Sequence, residues 1–316
     1  MLRIFLILVG FVLLVFVQQI QAISVQSQFV IFLIGIFLLG VPHGAADLLV
    51  ATKNARFTKK NFSNSSFFLN YIGRLLLFAV TLWLFPLVGN LLFIFFAAYH
   101  FGETDLYQFK TNGLAGKLFV ISYGLVILGV ILLNHFEDIR PMMQQFDAGI
   151  KHQYFINWLD ANRYTILSFL GVLFFATTFF YFSTNHVNQP QNGQFLVQFA
   201  LLLLILYNLP MVLGFTFYFV VWHSVLSLKN IVDYLRKDGL FGLATITKQI
   251  FFYSLLAMSG ILLFGFAGSM FVNKDTMMVY IFLGLAVLTA PHMQIMNEMY
   301  NSFRKLASIN NGIAVI

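Results

Sequence analysis

Ten apolar runs separated by short polar segments make up most of the chain. They cover residues 4–21, 28–51, 68–86, 88–107, 118–134, 163–183, 195–209, 211–228, 249–268 and 277–297. A bilayer core about 30 Å thick is crossed by about 20 apolar residues in an α-helix, and most of these runs have about that length. The pattern therefore predicts an all-α fold, a polytopic integral membrane bundle of about ten transmembrane helices.

Two parts of the sequence allow a different number of spans. The stretch 195–228 is long for one span and short for two, but Pro210 interrupts it, and proline favours a break because it removes a helix hydrogen bond. The first run follows Arg3 and is compatible with a cleaved signal peptide, although its length favours an anchoring helix.

The charges of the loops predict the orientation of the bundle. Lys and Arg concentrate in cytoplasmic loops of membrane proteins. Here they mark the segments 53–60, 110–117, 229–248 and 304–305, whereas 135–162 carries more acids than bases. Ten spans place all four basic segments and both termini in the cytoplasm, while nine would put 229–248 outside. We expect ten spans in the cell (inner) membrane, forming a single transmembrane catalytic domain, 1–316.

Composition supports the membrane assignment. Hydrophobic residues make up 60% of the chain and charged residues only 9%, against about a quarter in a soluble domain. A soluble protein could not bury the 40 phenylalanines, so soluble, disordered and nucleic-acid-binding classes are excluded. The basic residues behind the net charge of +7 lie mainly in the segments between the apolar runs, so this charge indicates orientation in the membrane. Because cysteine is absent, disulfides, thiolate nucleophiles and cysteine-ligated clusters are excluded too.

The histidines divide into two groups. Three lie in polar segments and are interpreted as solvated loop residues: His135, His152 and His186. Four lie in apolar helices: His43, His100, His223 and His292. Ionisable residues inside a membrane are costly and usually face a functional interior.

The predicted orientation places these four membrane histidines at similar depth. Each lies on a helix that runs from outside to inside, and each is followed six to twelve residues later by a basic residue: Lys53, Lys110, Lys229 and Arg304. That interval is about 9–18 Å of helix. Four imidazoles at one depth could converge on one point, so we predict a metal site formed by the four side chains.

Carboxylates accompany two of these histidines. Asp47 is at i+4 from His43 and Glu103 is at i+3 from His100, so each shares a helix face with its histidine. A carboxylate that accepts the far N–H of a ligating imidazole fixes its tautomer, and we predict this role for both. Asp105 and Glu298 follow the histidines at other angles and rank lower.

The chemistry of the candidate site narrows the choice of metal ion. An all-imidazole site suits zinc, copper, iron or nickel. Aromatic side chains near the histidines suit an apolar substrate: Tyr99, Phe101, Phe219 and Trp222. An apolar substrate beside a redox-capable metal favours oxygen chemistry on a lipid, so we expect Fe²⁺ as cofactor.

Four segments around these histidines resemble a known family. They are GVPHGAADLLV (40–50), AAYHFGETD (97–105), YFVVWHSVLSL (218–228) and TAPHMQIMNEMY (289–300). In this order they resemble the bacteriorhodopsin-related Brp/Blh family, the membrane β-carotene 15,15′-dioxygenases. The resemblance implies O2-dependent central cleavage of β-carotene to two retinal molecules, an iron centre on the motif histidines, and retinal supply to a rhodopsin.

The chain departs from the family pattern at one position. Many members carry a second histidine one helical turn after the tryptophan–histidine pair, where this chain has Ser227. A serine hydroxyl is a poor iron ligand, so a four-histidine site here has to include His292.

Two other classes remain as alternatives. A membrane electron carrier could use the four histidines to ligate haem. An ion-coupled transporter could use the membrane acids as carriers, with helices broken at Pro42, Pro210 and Pro291.

Overall fold

The computed structural model describes residues 1–19, 23–146, 153–185, 189–237, 239–269 and 274–313. These residues form helices joined by short turns, and no strand occurs among them. The predicted all-α membrane bundle is confirmed.

The chain forms fourteen α-helical segments and two π-helical ones within the described ranges. The first half contains α1 (Leu2–Gln19), α2 (Val25–Gly35), π1 (Ile36–Gly40), α3 (Val41–Gly44), α4 (Asp47–Phe57), α5 (Asn64–Leu84), α6 (Pro86–Asp105), α7 (Gly113–Leu133) and α8 (Phe136–Phe146). The second half contains α9 (Gln153–Asn185), α10 (Gln189–Asn208), α11 (Met211–Phe215), π2 (Thr216–His223), α12 (Ser224–Arg236), α13 (Leu243–Ser269) and α14 (Lys274–Ile313).

Local sequence explains several of the helix ends. The Ser24 side chain accepts a hydrogen bond from the Ser27 backbone at 3.1 Å and caps the start of α2. Pro86 occupies the first turn of α6, where its missing N–H costs nothing. Pro210 separates α10 from α11, as its position in the sequence predicted.

In the part of the chain that the structure describes, eight helical runs are long and apolar enough to cross a membrane: Leu2–Gln19, Val25–Phe57, Asn64–Leu84, Pro86–Asp105, Gly113–Leu133, Gln153–Thr184, Met211–Arg236 and Leu243–Leu263. They correspond to eight of the ten predicted spans. The other two predicted spans fall on the shorter apolar helix Gly193–Asn208 and on α14. The position of the termini in the cytoplasm stays a prediction.

The chain divides into two compact units, each built from two separate stretches. Unit 1 comprises Met1–Gly40 and Gln108–Leu226, and unit 2 comprises Val41–Tyr107 and Ser227–Ile316. The chain therefore passes from one unit to the other three times. The single catalytic domain over 1–316 stays a prediction.

Unit 1 is organised around α7. This helix packs against α9 and α10, while α1 packs on α10 and π1 packs on π2. The interior of α7 is apolar over Val120–Ile131 apart from small and hydroxyl residues, which suits close packing between helices.

Unit 2 is organised around α14. This helix packs against α4, α5, α6 and α13, and α13 also packs on α3. Ile295, Met296 and Met299 of α14 lie in a buried cluster with Leu49 and Val50 of α4. Since α14 carries His292, its packing decides which side chains that histidine meets.

Two of the basic residues that the sequence counts as loop charge make side-chain contacts between helices. Lys53 of α4 is 2% exposed, and its ammonium group donates to the backbone carbonyl oxygens of Tyr234 and Leu235 near the end of α12. Arg304 of α14 pairs with Glu103. Basic groups at a helix C-terminus offset its partial negative charge, so Lys53 is a buried helix cap.

Candidate metal centre

Unit 2 brings three of the four predicted histidine ligands together. The imidazole ring of His292 lies 4.9 Å from that of His43 and 5.2 Å from that of His100, centroid to centroid, with both pairs edge-on. His43 and His292 are 4% exposed and His100 is 1% exposed. We call these three residues the histidine cluster.

Helix irregularities lie next to two members of the histidine cluster. His43 follows Pro42 on the short helix α3, directly after π1. His292 follows Pro291 within α14, where the missing proline N–H leaves a carbonyl one turn earlier without its helical partner. π-helical turns and prolines both change the direction of the side chains that follow them. His100 lies in a regular stretch near the end of α6.

A carboxylate orients the central imidazole of the cluster. Nδ1 of His292 lies 2.7 Å from Oδ1 of Asp47, and both side chains are buried. The second oxygen of Asp47, Oδ2, accepts a hydrogen bond from the Tyr71 hydroxyl at 3.2 Å. Nδ1 of His292 is therefore the ring nitrogen that faces the carboxylate, and Nε2 is the one that remains for a metal ion.

The structure gives Asp47 a histidine partner that the sequence did not predict. The sequence paired Asp47 with His43 because the two share a helix face. The hydrogen bond that the structure shows joins Asp47 of α4 to His292 of α14, 245 residues apart. Ligating histidines usually donate their other N–H to a carboxylate, so His292 has the environment that such a ligand requires.

The spacing of the rings is compatible with one shared metal ion. A metal–nitrogen bond of about 2.1 Å puts the ring centroid about 3.2 Å from the metal, so two ligating rings at 90–110° have centroids about 4.6–5.3 Å apart. The two measured separations, 4.9 and 5.2 Å, fall in that interval. Nε2 of His292 is buried and makes no hydrogen bond to the described residues, so it is available as a ligand atom.

The histidine cluster is not a preformed metal cage. Among the described residues, no group of three or more His, Asp or Glu side chains already has metal-binding geometry. The rings would have to turn about their side-chain torsions to point three nitrogens at one ion. Donor type, ring spacing and the Asp47 contact fit an imidazole-bound ion such as Fe²⁺.

His223, the fourth predicted ligand, belongs to unit 1. It ends π2, is fully buried, and its ring stacks on Phe219 with centroids 6.0 Å apart and planes within 12°. The Ser224 hydroxyl donates to the Phe219 carbonyl at 2.8 Å, which satisfies part of the irregular backbone of π2. Ser227, the position of the departure from the family pattern, is also fully buried. The role of His223 as a ligand stays a prediction.

Glu103 is engaged by a cation. Its Oε1 accepts a hydrogen bond from Nη2 of Arg304 at 2.8 Å, and the Glu103 side chain is 1% exposed. The pair joins α6 to α14 three residues after His100 and twelve after His292. This contact connects the helices that carry both histidines. The predicted role of Glu103 in orienting His100 stays a prediction.

The lower-ranked acids lie in different environments. Asp105 is buried at the end of α6, and Glu298 is exposed and within 3.4 Å of the Gln294 amide.

The aromatic residues predicted to bind substrate are mostly buried. Phe101 is 3% exposed beside His100, and in unit 1 Phe219 and Trp222 are 5% and 2% exposed. Tyr99 is half-buried, with its hydroxyl 3.5 Å from Oδ1 of Asn297. Their role in substrate binding stays a prediction.

The histidines outside the apolar helices are separate from these contacts where they are described. Nδ1 of His135 lies 3.2 Å from the Ile131 carbonyl at the end of α7. His152 and His186 lie outside the described residues.

Sequence reasoning missed three features near the histidines. The two π-helices lack a clear sequence signature. Tyr71 lies on α5, outside all four family motifs, and no pattern in the sequence around it indicates its contact with Asp47. Arg304 was assigned to loop charge, although its interval from His292 places it on the same long helix.

Comparison with known proteins identifies the family. No curated protein and no solved structure matches the chain. A family model described as beta-carotene 15,15′-dioxygenase matches residues 34–300, which include all four membrane histidines. The match covers most of the 316 residues. The chain therefore belongs to the beta-carotene 15,15′-dioxygenase family.

Proposed function

We propose that this protein is an iron-dependent dioxygenase that cleaves the central 15,15′ double bond of β-carotene. The products are two molecules of all-trans-retinal, and both oxygen atoms of O2 end in the two aldehyde groups. The observation that carries the proposal is the buried histidine cluster with His292 oriented by Asp47, in a chain that belongs to this family. We place the enzyme in the cell (inner) membrane, passing retinal to a rhodopsin.

His43, His100 and His292 would hold the iron, and His223 is the predicted fourth ligand. Ferrous iron supplies the one-electron chemistry that a closed-shell alkene needs to react with O2. Asp47 keeps the proton of His292 on Nδ1, which leaves Nε2 free to bind. Because cleavage to two aldehydes involves no net proton transfer, no general acid or base is required, and Asp47 acts only on the orientation of His292.

The remaining contribution of the chain is positioning and exclusion of water. The histidines are buried and Phe101 packs beside His100. Low water access suits a hydrocarbon substrate that comes from the bilayer, and prevents side reactions at the metal. Tyr99 and Phe101, which flank His100 in the chain, would hold the polyene so that its midpoint is the part presented for reaction. The substrate-binding role of Phe219 and Trp222 stays a prediction.

The experiment is aerobic incubation of the purified, iron-loaded protein with β-carotene in detergent. We expect bound iron by metal analysis and retinal as the product by chromatography. The His292→Ala variant should lose both, whereas His135→Ala serves as the matched control and should keep both. Stoichiometric iron in the wild type without any retinal would refute the proposal, and a haem absorption spectrum would support the electron-carrier alternative instead.

A further inference from the structure

The helix α5 contributes one polar contact to the surroundings of the histidine cluster. Most of this helix faces outward, with Leu69 76% and Leu77 69% exposed, and only Phe78 and Leu82 are buried. Tyr71 is half-buried and packs beside Phe67, with ring centroids 5.7 Å apart. Phenylalanine would serve this packing as well as tyrosine, so the hydroxyl group has to be explained separately.

The Tyr71 hydroxyl is a second hydrogen-bond donor to the Asp47 carboxylate, beside His292. Oδ2 of Asp47 accepts from Tyr71 of α5 at 3.2 Å, while Oδ1 accepts from Nδ1 of His292 at 2.7 Å. Rotation of a carboxylate about its last torsion is only weakly restricted by the side chain itself. Two donors from two different helices restrict this rotation and hold Oδ1 in line with the imidazole N–H.

We propose that Tyr71 is a positioning residue for the metal centre, acting through Asp47 on the orientation and tautomer of His292. The inference rests on the proposed function, because it requires that His292 binds iron. Tyr71 touches neither iron nor substrate in this account. Its hydroxyl restricts Asp47, and Asp47 restricts the imidazole that provides Nε2.

A purely structural role of the Tyr71 hydroxyl predicts a different experimental result from a positioning role. If the hydroxyl only satisfies a polar group within the membrane, its loss should affect stability and leave the metal alone. If it acts through Asp47, its loss should weaken iron binding, and this effect should vanish once Asp47 is absent. A double-mutant cycle on iron affinity separates the two cases.

The test uses the full chain in detergent with three variants: Tyr71→Phe, Asp47→Ala and the double variant. The dissociation constant for Fe²⁺ is measured by chelator competition, and the visible spectrum of the Co²⁺-loaded protein reports the ligand geometry. Partners of metal-binding histidines typically change affinity about 10–100-fold. We expect Tyr71→Phe to weaken iron binding about 10-fold and to shift the Co²⁺ spectrum, but to add less than about 2-fold in the Asp47→Ala background.

Tyr207→Phe is the matched control, because Tyr207 lies on the apolar helix α10 and is 51% exposed. It should bind iron like the wild type. An equal loss from Tyr71→Phe in both backgrounds, or no loss in either, would overturn the inference while the proposed function stands. A wild-type chain that neither binds iron nor forms retinal would overturn the proposed function and, with it, this inference.

Discussion

Two buried regions of this protein are held together by different forces. The first is the histidine cluster of unit 2 with its partner Asp47. The second is an aromatic cluster in unit 1, formed by rings of α7, α9 and α10 and by one ring from the turn before α7. Its members are Phe109, Phe119, Tyr123, Phe174, Tyr181, Phe195 and Phe199. In the aromatic cluster, Phe119 stacks on Tyr181 at 4.8 Å, and Phe174 lies 4.4 Å from Phe199.

The difference shows which buried groups indicate function. The aromatic cluster gains from apolar contact alone, which is non-directional and tolerates repacking. The histidine cluster places titratable groups where burial is unfavourable, and it depends on directed contacts such as the 2.7 Å hydrogen bond between His292 and Asp47. Ionisable groups inside a membrane are costly and often mark a functional site, so substitutions in the two regions should change different measurements.

The largest effect is expected for His292→Ala. Loss of the central imidazole should reduce iron affinity at least about 100-fold, exceeding the usual effect of an outer partner, and should abolish retinal formation. The protein should still be inserted and folded, since the apolar helices keep their packing. Metal analysis and retinal assay check this. Ser227→His in that background should restore part of the loss, because it adds an imidazole one turn after His223. Stoichiometric iron and normal turnover in His292→Ala would contradict the assignment.

Phe119→Ala should destabilise the aromatic cluster without affecting iron binding. Phe119 is fully buried and touches five aromatic rings, so its truncation should lower the free energy of unfolding by about 3–5 kcal/mol. Iron affinity of the folded fraction should stay within about 2-fold of the wild type. Reversible unfolding in detergent gives the first quantity and chelator competition the second. Iron loss in the folded fraction would show that the two regions are not separable.

Glu103→Gln should mainly affect stability, although Glu103 follows His100 closely. The amide keeps a hydrogen-bond acceptor for Arg304 but removes the charge from a pair that is 1% and 10% exposed. Hydrogen bonds to charged groups contribute about 1.5–3 kcal/mol, and we expect a loss of that order in the same unfolding experiment. Iron affinity that fell with unchanged stability would favour the predicted contact with His100.

Asp47→Asn should mainly weaken iron binding and should leave the stability of the protein almost unchanged. An amide retains the shape of the carboxylate but not its charge, so it no longer fixes the Nδ1–H tautomer of His292 as strongly. Iron affinity or turnover should fall about 10–100-fold with little loss of folded protein. Chelator competition measures it, and wild-type affinity would show that the 2.7 Å contact serves only the packing of α4 on α14.

Ser122→Ala should produce the smallest change. The Ser122 and Thr177 hydroxyls lie 2.6 Å apart between α7 and α9, beside the aromatic cluster. Hydrogen bonds between membrane helices contribute about 0.6 kcal/mol on average, so the unfolding free energy should change by about that amount and retinal formation not at all. A large loss of activity would mean that polar groups of unit 1 also serve the reaction.

Much of the fold could be predicted from the sequence because the hydropathy of a segment indicates whether it lies in lipid or in water. The long apolar runs could only be helices in a bilayer, since every backbone group must be paired within its own segment. Pro210 marked a real helix break, and the family motifs marked the correct family. The two π-helices could not be predicted, because they depend on how the flanking residues pack and not on a local preference.

The partners of the site residues were less predictable for a related reason. In a soluble helix, polar residues mark the face turned away from the core, but in lipid both faces are apolar. The sequence could therefore pair Asp47 only with the histidine on its own helix. The packing of the helices brings Asp47 to His292 and Tyr71, two partners on other helices that the sequence could not identify.

The sequence by itself determined the membrane class, the apolar spans and the histidines that deserve a functional explanation, because these follow from the cost of polar groups in hydrocarbon. Only the tertiary structure decided that His43, His100 and His292 lie side by side, that Asp47 and Tyr71 form a chain to His292, and that Arg304 joins Glu103 inside the bundle. The two contacts of Asp47 alone join residues 24 and 245 positions apart. They depend on helix rotation and offset, which packing between helices sets and hydropathy along the chain does not report.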